Sequence, residues 1–208
     1  MKVIICAALV VIMIGRSAAQ ETKSSNLRQY YSGKFGYYHP APELNNGLMF
    51  GVDGVTEFIH YNFTLTGAID FYQKQTIGVY KNSQARNVEQ SIVMIPIHAS
   101  AGYKLIEISD ADTRIYAGGG FGYSLFFYNV QYTETSSGGP LGGVVSRDYS
   151  ESKNGGNIFG TAFIRFLIGR VFIEPRFYAA ARKQETLGNG TYLIDPSGFA
   201  VTLGFQYQ

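Results

Sequence analysis

Residues Val93–Phe127 decide the fold, and they read VMIPIHASAGYKLIEISDADTRIYAGGGFGYSLFF. Every second position is apolar or small on both sides of a short polar segment. The first run is Val93, Ile95, Ile97, Ala99, Ala101, Tyr103 and Leu105, and the second is Ile115, Ala117, Gly119, Phe121, Tyr123, Leu125 and Phe127. A period of two predicts two β-strands, each with chemically different faces, joined by a turn.

The first 19 residues have the pattern of a secretory signal peptide. Lys2 supplies the charge, Val3–Gly15 the apolar stretch, and Ser17–Ala19 a cleavage site of small residues. A transmembrane anchor is the alternative, but the stretch is shorter than the roughly 20 apolar residues that a spanning helix needs. The single cysteine, Cys6, lies inside this segment. The mature chain is therefore expected to have no disulfide and no cysteine metal ligand.

The composition of the mature chain favours a β-barrel. Removing Lys2 and Arg16 from the 17 basic residues leaves 15, which equals the number of acidic residues. A neutral chain argues against a nucleic-acid partner, because such proteins need a clustered basic surface. Over the full sequence, the 16 Tyr, 15 Phe and 25 Gly, with only 15% charged residues, suit strands rather than a disordered or helical chain.

Alternation and turn signals predict eight strands. They are Gly33–His39, Gly47–Ile59, Phe63–Lys74, Ser91–Leu105, Thr113–Tyr132, Asn157–Leu167, Arg170–Lys183 and Gly198–Tyr207. Three connections are short: His60–Asn62, Glu107–Asp112 and Ile168–Gly169. Four are long and polar: Pro40–Asn46, Gln75–Gln90, Thr133–Gly156 and Gln184–Ser197.

This alternation of connections predicts the architecture. Short turns at one end and long loops at the other are typical of an eight-stranded antiparallel up-and-down transmembrane β-barrel, with periplasmic turns and extracellular loops. We expect one barrel domain over residues 33–208, preceded by a flexible periplasmic lead-in over Gln20–Ser32. The segment Thr133–Gly156, rich in Gly and Ser and without a core pattern, is expected to be mobile.

The two faces of the strands differ in chemistry. One face is apolar, and the other collects Asp53, Glu57, Asp70, His98, Lys104, Arg114, Arg165, Glu174, Arg176 and Arg182. A soluble lipocalin-like barrel would expose a charge-dense face and enclose the apolar one. Here the charges are few, of mixed sign and spaced among glycines, which is typical of a cramped interior where glycine makes room for Tyr and Arg. A tilted strand of about 13 residues also covers an apolar band of about 25 Å, so we expect the apolar face to contact lipid.

Interior charges should be paired, because an isolated buried ion costs several kcal/mol. Asp53, Glu57, Asp70 and Glu174 are available for Arg114, Arg165, Arg176 and Lys104, in pairings that the sequence leaves open. Tyrosines near strand ends are candidates for interfacial girdles, with ordinary strand composition as the alternative. They are Tyr37, Tyr38, Tyr61, Tyr103, Tyr128, Tyr132 and Tyr178.

The chain resembles the small outer-membrane β-barrel superfamily that includes the OmpA transmembrane domain, OmpX and porin-like barrels. The resemblance lies in Tyr116–Tyr123 (YAGGGFGY), in Lys34–Tyr38 followed by Gly47–Gly51, and in Gly198–Tyr207, which is similar to a C-terminal assembly signal. It implies an outer-membrane location after signal cleavage, insertion by the barrel assembly machinery and contact with outer-membrane lipid. Gln208, after Tyr207, departs from the aromatic end usual in that family.

One pair of residues suggests an enzyme. His98 and Ser100 share the inward face and are similar to the His-x-Ser of outer-membrane lipid A deacylases resembling PagL, with Glu57 or Glu174 as a possible orienting acid. Ala101 stands where that motif has Asn. The alternative, two small polar residues filling an interior, is favoured.

Three further patterns lack the features of a site. The glycines before Tyr123 do not complete a dinucleotide fingerprint, Ser109–Asp112 is too short for a calcium loop, and the three histidines have no ligand spacing. No catalytic, cofactor-binding or metal-binding residue is predicted.

The sequence therefore predicts a non-enzymatic, monomeric outer-membrane barrel. Its surface loops would serve adhesion, interaction or envelope integrity, with a surface or host ligand as a possible partner. The alternative is a narrow channel for small or apolar solutes. A lipid A-modifying barrel hydrolase and a soluble lipocalin-like ligand binder are less favoured.

Overall fold

The computed structural model describes residues 26–40, 44–75, 80–81, 85–138, 143–187 and 190–207. These ranges contain the strands β1 (Leu27–Pro40), β2 (Gly47–Phe58), β3 (Phe63–Gln75), β4 (Tyr80–Lys81), β5 (Ala85–Ile108), β6 (Thr113–Gly138), β7 (Gly143–Ile168), β8 (Val171–Ala180), β9 (Lys183–Leu187), β10 (Gly190–Ile194) and β11 (Gly198–Tyr207). Single 3-10 turns occupy Ile59–Tyr61 and Ser109–Ala111. Within the described ranges, no helix is long and apolar enough to cross a membrane.

Eight strands close into a barrel in the order β1-β11-β8-β7-β6-β5-β3-β2. Every neighbouring pair is antiparallel, and β1 closes the ring against β11 with Tyr31 opposite Tyr207. The predicted fold class, an eight-stranded antiparallel up-and-down barrel, is confirmed. Closure matters because it leaves the ring without a free edge.

The two ends of the barrel differ. At the short-turn end, tight turns join β2 to β3, β5 to β6 and β7 to β8, and Asn62, Asp112 and Gly169 there have φ of 53°, 42° and 59°. Asn, Asp and Gly are the residues that tolerate this left-handed conformation best. At the opposite hairpin end, β6 and β7 continue as a long hairpin. A separate three-stranded sheet in the order β4-β10-β9, called the cap sheet below, also lies at this end.

Several predicted boundaries were wrong. β1 begins at Leu27 rather than Gly33 and pairs with β2 from its first residue, so the predicted lead-in over residues 20–32 is strand from Leu27 onward. The rest of that lead-in up to residue 25, like the signal peptide over residues 1–19, lies outside the described residues. β8 ends at Ala180 rather than Lys183.

The segment Thr133–Gly156 was predicted to be a long loop, but its described residues, 133–138 and 143–156, belong to β6 and β7. β6 and β7 pair residue by residue up to Gly138 opposite Gly143. Both faces of this hairpin are largely polar, so it carries no alternation of apolar residues for sequence analysis to detect. The predicted loops over residues 75–90 and 184–197 likewise contain the start of β5 and the strands of the cap sheet.

The predicted alternation sets the outer surface. Large apolar side chains that are exposed on the barrel strands include Phe35, Leu48, Phe50, Leu65, Ile97, Tyr103, Phe121, Ile158, Ile164, Phe177, Val201 and Phe205. Phe121 and Ile158 are each 73% exposed. The alternate positions, including Asp70, Glu174 and Arg176, are buried inside. The prediction that the apolar face points outward and the charged face inward is therefore confirmed.

Candidate functional site

The barrel interior is crossed by an ion network centred on Arg165. The Arg165 Nη2 donates to Asp53 Oδ2 at 2.7 Å, and its Nε donates to Glu174 Oε2 at 2.6 Å. Arg176 Nε donates to the other oxygen of Glu174 at 2.9 Å. All four side chains are almost fully buried. The predicted pairing of interior acids with arginines is confirmed for these residues.

A second part of the network surrounds Asp70 on β3. Lys34 Nζ lies 2.9 Å from Asp70 Oδ1, and His98 Nε2 lies 3.1 Å from Oδ2. The Tyr178 hydroxyl donates to the same Oδ2 at 3.2 Å. Lys34 was not among the interior charged residues predicted from the sequence. Its place in the alternation of β1 with Ser32 and Tyr38, both buried, is the signal that would have found it.

Near the short-turn end, the predicted pairing held only in part. Lys104 Nζ lies 3.6 Å from Glu57 and 2.6 Å from Glu107. Arg114, expected to pair with an interior acid, instead contacts Glu107 at 3.3 Å and Asp112 at 2.6 Å at the rim. Both acids lie at or next to the β5–β6 turn, so Arg114 is paired at the end of the barrel and not with the interior carboxylates that bind Arg165.

Arg182 was predicted on the inward face, and this was wrong. β8 has ended before it, and its side chain is 75% exposed at the hairpin end. It donates from Nε to Asp195 Oδ2 at 2.9 Å, while Ser197 N donates to Oδ1 at 3.0 Å. Burial alone would raise the pKa of Asp195, but the hydrogen bonds from Ser197 and Arg182 outweigh it and hold that pKa below its ordinary value.

Aromatic side chains fill the interior towards the hairpin end. We call Tyr38, Tyr72, Tyr128, Tyr178 and Tyr192 the aromatic plug. All five are at most 3% exposed. Tyr38 packs edge-on against Tyr72 and Tyr178 at 5.2 and 5.6 Å, and Tyr128 stacks on Tyr192 at 5.3 Å. Because Tyr192 belongs to β10, the cap sheet supplies part of the plug.

The plug corrects the prediction of the tyrosine girdles. Tyr38, Tyr128, Tyr132 and Tyr178 are buried inside rather than at the lipid interface. Their positions share the inward phase of their strands, which overrides nearness to a strand end. The remaining candidates, Tyr37, Tyr61 and Tyr103, are 52%, 71% and 53% exposed on the outside.

The interior is filled at successive levels. Leu167 lies near the short-turn end, Asp70 at the network, and Ile92 and Val130 towards the hairpin end, and all four are 0% exposed. A water-filled lumen would leave such side chains in contact with solvent. Among the residues that the structure describes, the barrel interior is therefore filled with packed side chains, as eight strands favour.

The glycine strand has a different role from the one predicted. A Cβ at Gly118, Gly120 or Gly122 would collide with a backbone carbonyl oxygen of β5, at Ala101, Ala99 or Ile97. These glycines therefore allow the β6 and β5 backbones to approach closely. They do not mainly make room for Tyr and Arg, although a Cβ at Gly102 would meet the Phe163 ring at 3.1 Å.

The candidate His98 and Ser100 are not assembled as a catalytic pair. Both ring nitrogens of His98 face other groups, Nε2 facing Asp70 and Nδ1 facing Arg176 Nη1 at 3.4 Å. Ser100 Oγ is buried without a hydrogen-bond partner. The possible acids Glu57 and Glu174 pair with lysine and arginine instead. In the described part of the chain, no three His, Cys, Asp or Glu side chains are grouped to hold a metal.

The β6–β7 hairpin presents a long strand edge. β7 pairs with β6 along its whole length, but its pairing with β8 begins only at Phe159 opposite Ala180. Asn157 Nδ2 covers the junction by donating to Ala181 O at 3.0 Å. Above that point, the other side of β7 has no strand partner among the described residues.

These features define the class of protein. A closed antiparallel barrel satisfies its backbone hydrogen bonds internally. Its exterior is apolar and its charged side chains lie inside, so the outer surface suits contact with hydrocarbon rather than with water. This is the architecture of outer-membrane β-barrels. The chain therefore has the fold of a small transmembrane β-barrel.

Some proteins of known structure are similar to this chain in fold. No protein-family profile matches the chain, and no curated protein matches it significantly. Among solved structures, it is similar to Ail, the attachment invasion locus protein of Yersinia pestis, with 12% identity, 86% of this chain and 99% of that chain covered, and a TM-score of 0.47.

A major outer membrane protein of Thermus thermophilus shows 10% identity, 86% and 100% coverage and a TM-score of 0.47. Neisserial surface protein A shows 12% identity, 88% and 96% coverage and a TM-score of 0.41. Likenesses of this size concern general shape alone.

Proposed function

We propose that this protein is a non-enzymatic, non-conducting outer-membrane barrel that carries the β6–β7 hairpin as a surface for binding an extended polypeptide. The barrel would be a monomer in outer-membrane lipid, reached through the signal peptide over residues 1–19 and the barrel assembly machinery. The observation that carries the proposal is the edge of β7 from Gly143 to Ile158, which has no strand partner among the described residues and extends above the packed interior.

A free strand edge offers a row of backbone N–H and C=O groups to an extended partner. Natural proteins commonly block such edges, for example with proline, bulges or a covering loop. Between Gly143 and Ile158 the strand contains no proline, and its pairing with β6 shows no register shift. This regular edge, without a strand partner in the described part of the chain, supports a role in recognition at the cell surface.

The narrow-channel alternative finds less support. A solute path would have to pass the Arg165–Asp53 bond, which crosses the lumen, and the aromatic plug, whose Tyr178 hydroxyl donates to Asp70 on the opposite wall. The hydrolase alternative would need Ser100 to meet a substrate, but Ser100 is only 5% exposed inside the barrel.

The test is a hairpin truncation. Tyr132 lies opposite Tyr149, so residues 133–148 can be replaced by an Asn-Gly turn that joins this pair. Both forms, folded in nanodiscs, are panned against a phage-displayed library of linear peptides. We expect the full chain to enrich peptides and the truncated chain, which keeps the edge only from Tyr149 to Ile158, to enrich them less. Arg147→Ser is a control that keeps the whole backbone edge and should keep the enrichment of the full chain.

Two results would contradict this proposal. One is an absence of enrichment on the full chain. The other is equal enrichment on the full and truncated chains when both show the heat-dependent gel mobility of a folded barrel.

A further inference from the structure

A cavity of about 230 Å³ opens inside the barrel mouth at the short-turn end. We call it the vestibule, and the side chains that define it are Arg28, Tyr30, Asp112, Arg114, Arg170 and Gln206. They come from β1, from the start of β6, from the β5–β6 and β7–β8 turns and from the end of β11. Since a water molecule takes up about 30 Å³ in the liquid, the vestibule has room for a small polar group.

Positive charge dominates the vestibule lining. Three guanidinium groups line it against the single carboxylate of Asp112. Arg28 is held 3.6 Å from Glu57, and Arg114 is held 2.6 Å from Asp112. Arg170 has no side-chain partner among the described residues, so its donors are available to a bound anion.

Two buried donors of the vestibule make no hydrogen bond. Gln206 is 7% exposed, and its Nε2 has no hydrogen-bond partner, although the side chain adjoins the Tyr30 hydroxyl. Arg114 Nε also makes no hydrogen bond, although the Glu107 carboxylate lies 3.3 Å away in an ion pair. Because a buried donor without a hydrogen bond is unfavourable, an acceptor oxygen that entered the cavity would satisfy the Gln206 amide.

We propose that the vestibule binds a phosphate group. A carboxylate offers two coplanar oxygens, which one arginine fork can satisfy. A phosphate offers oxygens in tetrahedral directions, which suits guanidinium groups that arrive from β1, β6 and the β7–β8 turn together with the Gln206 amide. The ligand would be either a small phosphate compound or the headgroup of a lipid at this end of the barrel. The site lies at the opposite end from the hairpin and is independent of its role.

The test uses the folded chain in maltoside micelles, which contain no phosphate. Sodium phosphate is titrated while the ¹H–¹⁵N signals of the Gln206 side-chain amide and the arginine Nε groups are followed. A short-chain phosphatidylglycerol is titrated in a second arm. We expect saturable shifts; a response to the lipid alone assigns the site to a headgroup, and a response to both assigns it to phosphate compounds in general.

Variants make the assignment specific. Arg170→Gln should weaken binding about tenfold or more, since it removes a charge-assisted contact, and Gln206→Leu should weaken it severalfold. Arg147→Gln makes the same charge change on the exposed hairpin and should leave binding within about twofold. Heat-dependent gel mobility confirms that each variant is folded.

The proposal is overturned if neither probe produces saturable shifts in the unmodified chain. It is also overturned if Arg170→Gln and Arg147→Gln weaken binding equally, because the binding would then follow overall charge rather than the vestibule.

Discussion

Arg165 on β7 and Asp53 on β2 bond directly across the barrel, with 2.7 Å between Nη2 and Oδ2. The order of strands places β7 and β2 on opposite sides of the ring, separated by three strands in either direction. The Tyr178 hydroxyl on β8 reaches Asp70 on β3 in the same way. These side-chain bonds join opposite walls of the barrel, while the pairing of β1 with β11 closes the ring.

The first prediction concerns this bond. Arg165→Met should lower the free energy of unfolding by about 3–5 kcal/mol, because it leaves buried carboxylates without their main partner. The measurement is denaturant unfolding in phospholipid vesicles. Arg182→Met, at an exposed ion pair, is the matched control and should cost less than about 1 kcal/mol. Equal effects of the two substitutions would show that the Arg165 network does not stabilise the barrel.

The second prediction tests which face contacts lipid. Phe121 is 73% exposed on the part of β6 that belongs to the barrel wall, where Phe121→Arg should destabilise the barrel in vesicles by about 2–4 kcal/mol. Tyr61→Arg, at a similarly exposed position in the β2–β3 turn, should cost at most about 1 kcal/mol because arginine there reaches water. If Phe121→Arg were as mild as Tyr61→Arg, the apolar face would not be the lipid surface.

The third prediction concerns the approach of two backbones. Gly120→Ala places a methyl group against the Ala99 carbonyl and should destabilise the barrel by about 1–3 kcal/mol. A Cβ at Gly67 meets no atom within 4 Å, so Gly67→Ala should be neutral or stabilising by up to about 1 kcal/mol. Unfolding titrations of the two variants, measured side by side, decide whether β6 requires glycine for this contact.

The fourth prediction is a pH dependence at the hairpin end. The pKa of Asp195 is lowered in the folded protein, so its contribution to stability is present above its ordinary value of 3.8 and is lost as the pH falls through the lowered pKa. The Ser197 amide signal, which reports the bond to Asp195, should titrate with a midpoint below 3.8. Asp195→Asn should abolish that titration. A midpoint above 3.8 would contradict the bonding seen here.

The sequence predicts the wall of the barrel well because the wall has a strong local signal. Alternation from Val93 to Phe127 identifies two paired strands, and the structure pairs Val93 with Phe127 as that pattern requires. The signal is clear because one face contacts lipid and the other is packed. Where both faces are polar, as in residues 133–156, the same method finds no strand.

The contacts between side chains inside the barrel were less predictable from the sequence than the strands of its wall. Alternation identifies Asp53 and Arg165 as interior residues, but their pairing depends on the order of strands around the ring, which is not a local property. The interior position of Lys34 was not predicted, because its neighbours on β1 are mainly glycines and tyrosines and show little alternation of apolar and polar residues. The vestibule could not be predicted, since Arg28, Arg170 and Gln206 converge only when the ring closes.

We proposed that this barrel, whose described interior is filled with side chains, conducts no solute and binds its partners at its outer and end surfaces. Single-channel recording of the purified, folded chain in planar bilayers tests it most directly, with a large porin in the same bilayers showing that conductance is detectable. Because the described interior is packed, we expect a flat current trace without discrete steps over the applied voltage range. Reproducible conductance steps from the unmodified chain would contradict it.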